Sequence, residues 1–229
     1  MTRANPLSAF ENSLRKRELH ILSRLNSPMK IQSFLDSIPY STDDFYRCPS
    51  RVLRDRVAHC FDGAMFGAAA LRRIGYPPFV LDMLPNDRDD EHLLAVYKLD
   101  GHWGAVAKSN FVGLRYREPV YRNLRELVIS YFEQYYNVER EKTLRGYTRP
   151  LNLTAFDELN WMTSDEHLEK IATRLGEIQK TSLLTEVMVK RLSLLDERSF
   201  DAGLFGANHS GLYQPPSNTK QSRQTAKTL

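Results

Sequence analysis

The chain has 229 residues, 41% apolar and 26% charged, the balance of a globular domain that buries a core without disulfide or metal staples. Its two cysteines, Cys48 and Cys60, form neither a disulfide framework nor a zinc spacing, so a reducing cytoplasm is the expected setting. The net charge of +4 does not point to nucleic acid, because Lys220, Arg223 and Lys227 sit in an acid-free tail and the remainder carries 29 bases against 28 acids.

Residues 8–25, "SAFENSLRKRELHILSRL", set Phe10, Leu14, Leu19, Leu22 and Leu25 on one side and predict a single helix. Ser27 and Pro28 open a second, shorter one. After the loop "PYSTDDFYRCPS", Ser50 is placed to cap "RVLRDRVA". The next helix starts at Cys60 and ends near Gly75, with Pro77 and Pro78 beyond it. Apolar residues cover most of its circumference, while Gly63, Gly67 and the alanines leave little bulk. Such a helix is expected to be the central, buried one.

Strand patterns follow. Residues 79–84 are short and apolar, and "HLLAVYKL" and "HWGAVAKS" flank Asp100-Gly101, a strong hairpin dipeptide. "VGLRYRE" reads as a further strand. Beyond Pro119, Leu124, Leu127, Val128, Tyr131, Phe132 and Tyr135 recur at helical spacing, and two more helices are expected over roughly 164–179 and 181–199. The tail from about Gly206 is polar and turn-rich, and is expected to be disordered. Helices, then an antiparallel sheet, then helices define an α+β chain. No stretch reaches the roughly 18 apolar residues of a membrane span. No phosphate loop, metal-ligand pair or EF-hand pattern occurs, so neither cofactor nor metal is expected.

Cys60 is the residue whose setting suggests reactivity. A helix N-terminus favours the thiolate through its unpaired N–H groups and its dipole, and those N–H groups can hold an oxyanion. Buried filler is the competing reading. A thiol nucleophile needs a base within hydrogen-bond reach. His59 is adjacent in sequence, but helical neighbours point about 100° apart. His92 opens a strand after the acidic run "NDRDDE", where carboxylates favour the imidazolium.

The order of these features resembles the transglutaminase-like superfamily, relatives of the papain-type thiol enzymes, from about Ile31 to Asn110. "IQSFLDSIPY" resembles the lead-in helix and tyrosine, "SRVLRDRVAHCFDGAMFGAAALRRIGYPPFVL" the nucleophile helix, and "EHLLAVYKLDGHWGAV" the histidine strand, turn and tryptophan strand. The resemblance implies a papain-like core over 31–150 with a Cys-bearing helix packed on an antiparallel sheet. Around it would lie a helical extension over 1–30, a helical segment over 151–205 and a basic tail over 206–229. It implies Cys60 as nucleophile and His92 as base, acting on a peptide, amide or other acyl substrate without nucleic acid or membrane. The usual orienting aspartate falls on Ala107, with Lys108, Ser109 and Asn110 nearby. A two-residue turn would set His92 opposite Ser109 and a three-residue loop opposite Asn110. Asn110 is the expected third member, since its carbonyl can accept the imidazole N–H; Ser109, or no third residue, are the alternatives, with His92 then oriented by Asp89, Asp90 or a backbone carbonyl. A binding module that kept the fold, docking a protein through the late helices, is the alternative function.

Overall fold

The computed structural model describes residues 5–216. Four helices lead in: α1 (Pro6–Ser13), α2 (Lys16–Arg24), α3 (Pro28–Asp36) and α4 (Pro49–Asp55). The single helix expected over 8–25 is thus two. The Ser13 hydroxyl donates to the Phe10 carbonyl, Leu14 is extended, and Arg15 restarts the chain in a capping box closed by Glu18. Side-chain competition for backbone groups ends the first helix where hydrophobic spacing alone would continue it. Ser50 is not a cap either; Cys48 occupies the N-cap of α4, and Ser50 lies inside it.

The central helix α5 (Cys60–Arg73) begins at Cys60 itself, and eleven of its fourteen residues are buried. It packs on a sheet built from β1 (Phe79–Pro85), β2 (His92–Leu99), β3 (His102–Val106), β4 (Arg117–Tyr121), β5 (Leu144–Thr148), β6 (Leu151–Asn152) and β7 (Lys180–Ser182). Strand order is β4-β3-β2-β1-β5-β7, with β6 also paired to β1, and every pairing is antiparallel. Between β4 and β5 lies α6 (Leu124–Ile129), followed by a 3₁₀ turn (Phe132–Gln134). After β6 come α7 (Leu168–Glu177), α8 (Glu186–Val189) and α9 (Glu197–Gly203). The chain is an α+β fold with a helix packed on an antiparallel sheet.

Close packing explains the bare face of α5. A Cβ on Gly63 would meet Lys108 Cβ at 2.2 Å, and one on Gly67 would meet Val106 at 2.9 Å and Ala95 at 3.0 Å. The sheet therefore separates two apolar layers. Val80, Leu93, Ala95, Tyr97 and Val106 face α5 and the lead-in helices. Leu81, Met83, Leu94, Val96 and Ala105 face α6 and the tyrosines behind it.

Several expectations change. "VGLRYRE" is a loop up to Tyr116, and the strand is Arg117–Tyr121, starting where the chain rejoins β3. The helix expected over 181–199 is instead the two short helices α8 and α9, with β7 extending the sheet just before them. Residues 206–216, the first part of the expected disordered tail, are held in place: Asn208 N–H donates to Asn110 Oδ1 at 2.7 Å, and Gly211 lies against the Tyr40 ring. The rest of that tail lies outside the described residues.

Candidate active site

The start of α5 is fixed by a capping box. The Phe61 amide donates to His59 Nδ1 at 3.1 Å, and the buried Asp62 carboxylate accepts from the His59 amide at 3.2 Å and the Arg47 amide at 2.7 Å. Nδ1 can accept only on a neutral ring. Burial supplies that neutrality by pushing His59 down to about 4. His59 is therefore the cap that sets Cys60 at the first helical position. Capping uses the Phe61 N–H, while the Cys60 N–H faces the Tyr40 hydroxyl.

Cys60 is half-buried. Its Sγ lies 3.8 Å from the Glu91 carbonyl, to which it donates, so the thiol rests on the opening of β2. Burial, then the charges of Asp90 and Asp82, push the thiol up to about 12. The helix end does not make it a thiolate here, because desolvation and two carboxylates outweigh the dipole. Tyr40, from the loop after α3, stands beside it, and burial together with the Cys60 charge raises its phenol.

His92 is the next residue after Glu91 in the chain. It pairs with Met83 of β1 and so shares the sheet face of Leu94 and Val96, whereas Leu93 and Asp82 face α5. Its ring lies edge-on to Tyr135, centroids 6.4 Å apart, and Nε2 is 2.8 Å from the Leu114 carbonyl. A carbonyl only accepts, so Nε2 carries the proton and Nδ1 keeps a lone pair. Burial holds the ring neutral, down to about 4, rather than the imidazolium that the acidic run suggested. No hydrogen bond joins the Cys60 and His92 side chains, but both line one cleft of about 890 Å³.

Asn110, expected beside His92, is engaged by Asn208. The hairpin is the two-residue Asp100-Gly101 turn, with Leu99 opposite His102 and both turn residues at positive φ. β3 ends at Val106, so the register never reaches Ser109 or Asn110. Asn110 binds the backbone of Asn208 from both ends of its amide, at 2.8 and 2.7 Å. Ser109 Oγ accepts from the Phe111 amide. Ala107 is buried, and its main chain is clasped by Gln32. The partner of His92 Nε2 is a main-chain carbonyl, Leu114 O, and not the Asn110 or Ser109 side chain.

The Leu114 loop is pinned by Arg117. Its guanidinium donates to Gly113 O at 3.0 Å, Tyr116 O at 2.9 Å, and Ser130 Oγ and O at 2.9 and 3.1 Å. It also lies 3.8 Å over the Tyr131 ring. Arg117 is thus a structural staple of this loop.

Sequence reasoning passed over Asp82. It is a carboxyl in the middle of an apolar strand, 1% exposed, hydrogen-bonded to Glu91 but with no partner for Oδ1 among the described residues. Burial, and then the Glu91 charge, raise it well above the carboxylate range. An acid inside "FVLDML" was the available signal.

Fold and site together define an α+β protein whose helix-initiating cysteine opens into an acidic cleft. Among solved structures, the chain is similar to LapG of Legionella pneumophila and to the same protein treated with EGTA, at 16% identity and a TM-score of 0.34 in each case. The matches cover 44% and 45% of this chain and 70% and 68% of those chains. No family model and no curated protein matches the sequence. Among the described residues, no helix is long and apolar enough to cross a membrane, and no group of three or more His, Cys, Asp or Glu is arranged to hold a metal ion.

Proposed function

We propose that the protein is a cysteine-dependent acyl-transfer or amide/peptide hydrolase of the transglutaminase-like type, with Cys60 as nucleophile and His92 as base. The observation that carries this reading is the junction at β2: the Cys60 thiol rests on the Glu91 carbonyl, and the adjacent His92 has Nε2–H tied to Leu114 O, leaving Nδ1 as a proton acceptor. The resting groups are a neutral thiol and a neutral imidazole, so proton transfer belongs to the substrate-bound state, where catalytic hydrogen bonds tighten. His92 Nδ1 takes the thiol proton as Sγ bonds to the substrate carbonyl carbon. The oxyanion that forms takes the place of the Tyr40 hydroxyl and accepts from the Cys60 N–H. Collapse breaks the C–N bond, the imidazolium protonates the departing amine, and a thioester remains on Cys60. Water or a second amine then takes the acyl group, with His92 again removing the proton.

The test uses p-nitrophenyl acetate as a minimal acyl donor and mass spectrometry to locate the acetyl group. Acetylation is expected on Cys60, slowed about 100-fold or more by His92→Ala, within the usual worth of a general base. The raised thiol favours the alternative reading, a binding module that kept the fold. That reading gains if Cys60 stays unlabelled, or is labelled at a rate indifferent to His92.

A further inference from the structure

The cleft is acidic out of proportion to the chain. Nine of its lining residues are Asp or Glu and one, Arg51, is a strong base, although the chain carries a net charge of +4. Arg51 is already engaged by Asp165 at 2.6 Å and Asp55 at 3.0 Å. Beside the thiol the imbalance is sharpest. Asp82 from β1 and Glu91 from the approach to β2 face each other, with Asp90 next to them. Among the largest influences on Asp82 is one cation, Lys180 of β7, an exposed residue. Asp82 lines the cleft and is buried, yet its Oδ1 has no partner. Glu91 hydrogen-bonds the Asp82 carboxyl, but a buried carboxyl oxygen is normally satisfied, and Oδ1 at the cleft wall lacks a donor that a ligand can bring.

We propose that Asp82, Glu91 and Asp90 form the specificity subsite for a cationic side chain, arginine or lysine, of a peptide presented to Cys60. This rests on the reading of the cleft as the substrate site of a thiol enzyme, and names its substrate class. An ammonium or guanidinium supplies the missing donor to Asp82 and balances carboxyls that otherwise repel one another. Asp90 and Asp82 are also the charges that most oppose ionisation of Cys60. A cation seated between them relieves that opposition, so recognition and activation of the nucleophile fall to the same carboxyls.

The experiment compares Nα-acetyl-L-arginine amide with its uncharged isostere, Nα-acetyl-L-citrulline amide, by calorimetry on full-length Cys60→Ser protein. The arginine amide is expected to bind about tenfold tighter or more, equivalent to about 1.4 kcal/mol. Glu91→Gln, at an exposed position, and the isosteric Asp82→Asn are each expected to remove most of that preference. Equal affinities, no binding of either amide in the millimolar range, or a preference that survives both substitutions overturns the subsite. A clear preference in a protein that p-nitrophenyl acetate does not label at Cys60 keeps the subsite and sinks the enzyme reading. Labelling without preference does the reverse.

Discussion

The two imidazoles near Cys60 are held neutral for different work. His59 must be neutral to accept the Phe61 amide, and the neutral His92 keeps Nδ1 unprotonated while Nε2–H binds Leu114 O, as the proposed base requires. His92 titrates near 4 in the fold against about 6.5 unfolded. The unfolded chain therefore binds more protons between those values, and stability falls as pH drops through that window, levelling below about 4. The full span corresponds to about 3 kcal/mol. His92→Gln keeps a donor for Leu114 O but cannot titrate. Urea unfolding at pH 7 and at pH 4.5 is expected to show a smaller acid loss for the variant than for the parent. Equal losses in the two proteins would show that His92 is not the buried base described here. The comparison must be a difference, because burial also raises Asp62 and Asp89 to about 6, and their protonation favours the folded state at low pH.

At the scale of elements, α5 and the β2–β3 hairpin were legible in the sequence. Both carry strong local signals: proline and glycine at the helix end, and Asp-Gly at the turn. Gly63 and Gly67 announced close packing, and the sheet does approach there. Gly63→Ala gains helix propensity worth up to about 1 kcal/mol, but its Cβ would lie 2.2 Å from Lys108 Cβ and 3.1 Å from the Lys108 amide nitrogen. Lys108 cannot step aside, because its ammonium holds Leu35 O and Ile38 O at the end of α3. A net loss of about 1–3 kcal/mol is expected, as for other overpacked sites, read as a lower melting temperature. β5, β6 and β7 were not legible. They are short, and long-range pairing rather than local pattern makes them strands. Of the candidate site, the positions of Cys60 at a helix start and His92 at a strand start were legible. Leu114 O was not, since any residue at that position offers the same carbonyl.

At the scale of the molecule, residues 206–216 cross from α9 back to the cleft. Asn208 binds Asn110 and the Tyr40 carbonyl, Gly211 packs on the Tyr40 ring, and Leu212 and Tyr213 line the opening. The C-terminal stretch thus forms one wall of the path to the thiol, and Asn110 serves as its anchor. A chain ending at Phe205 is expected to react several-fold faster at Cys60 with fluorescein-5-maleimide, with a smaller gain for iodoacetamide, which is small enough to pass. Unchanged rates with both reagents would show that the wall does not restrict access. The body itself should survive the truncation, since neither apolar layer draws a buried residue from beyond Leu195.

The Leu114 carbonyl has a genetic consequence. Main-chain oxygen is beyond the reach of codon changes, so Leu114→Ala removes packing but leaves the atom that holds His92. An alanine scan would score that position as a stability residue and find no third member of the site. The vulnerability passes to Arg117, which fixes the loop through Gly113 O and Tyr116 O. Arg117→Lys is expected to lower the rate of Cys60 acetylation and shift its pH profile while Leu114→Ala leaves that profile in place. A side chain that touches no reacting atom would then carry the inheritable part of the histidine's alignment.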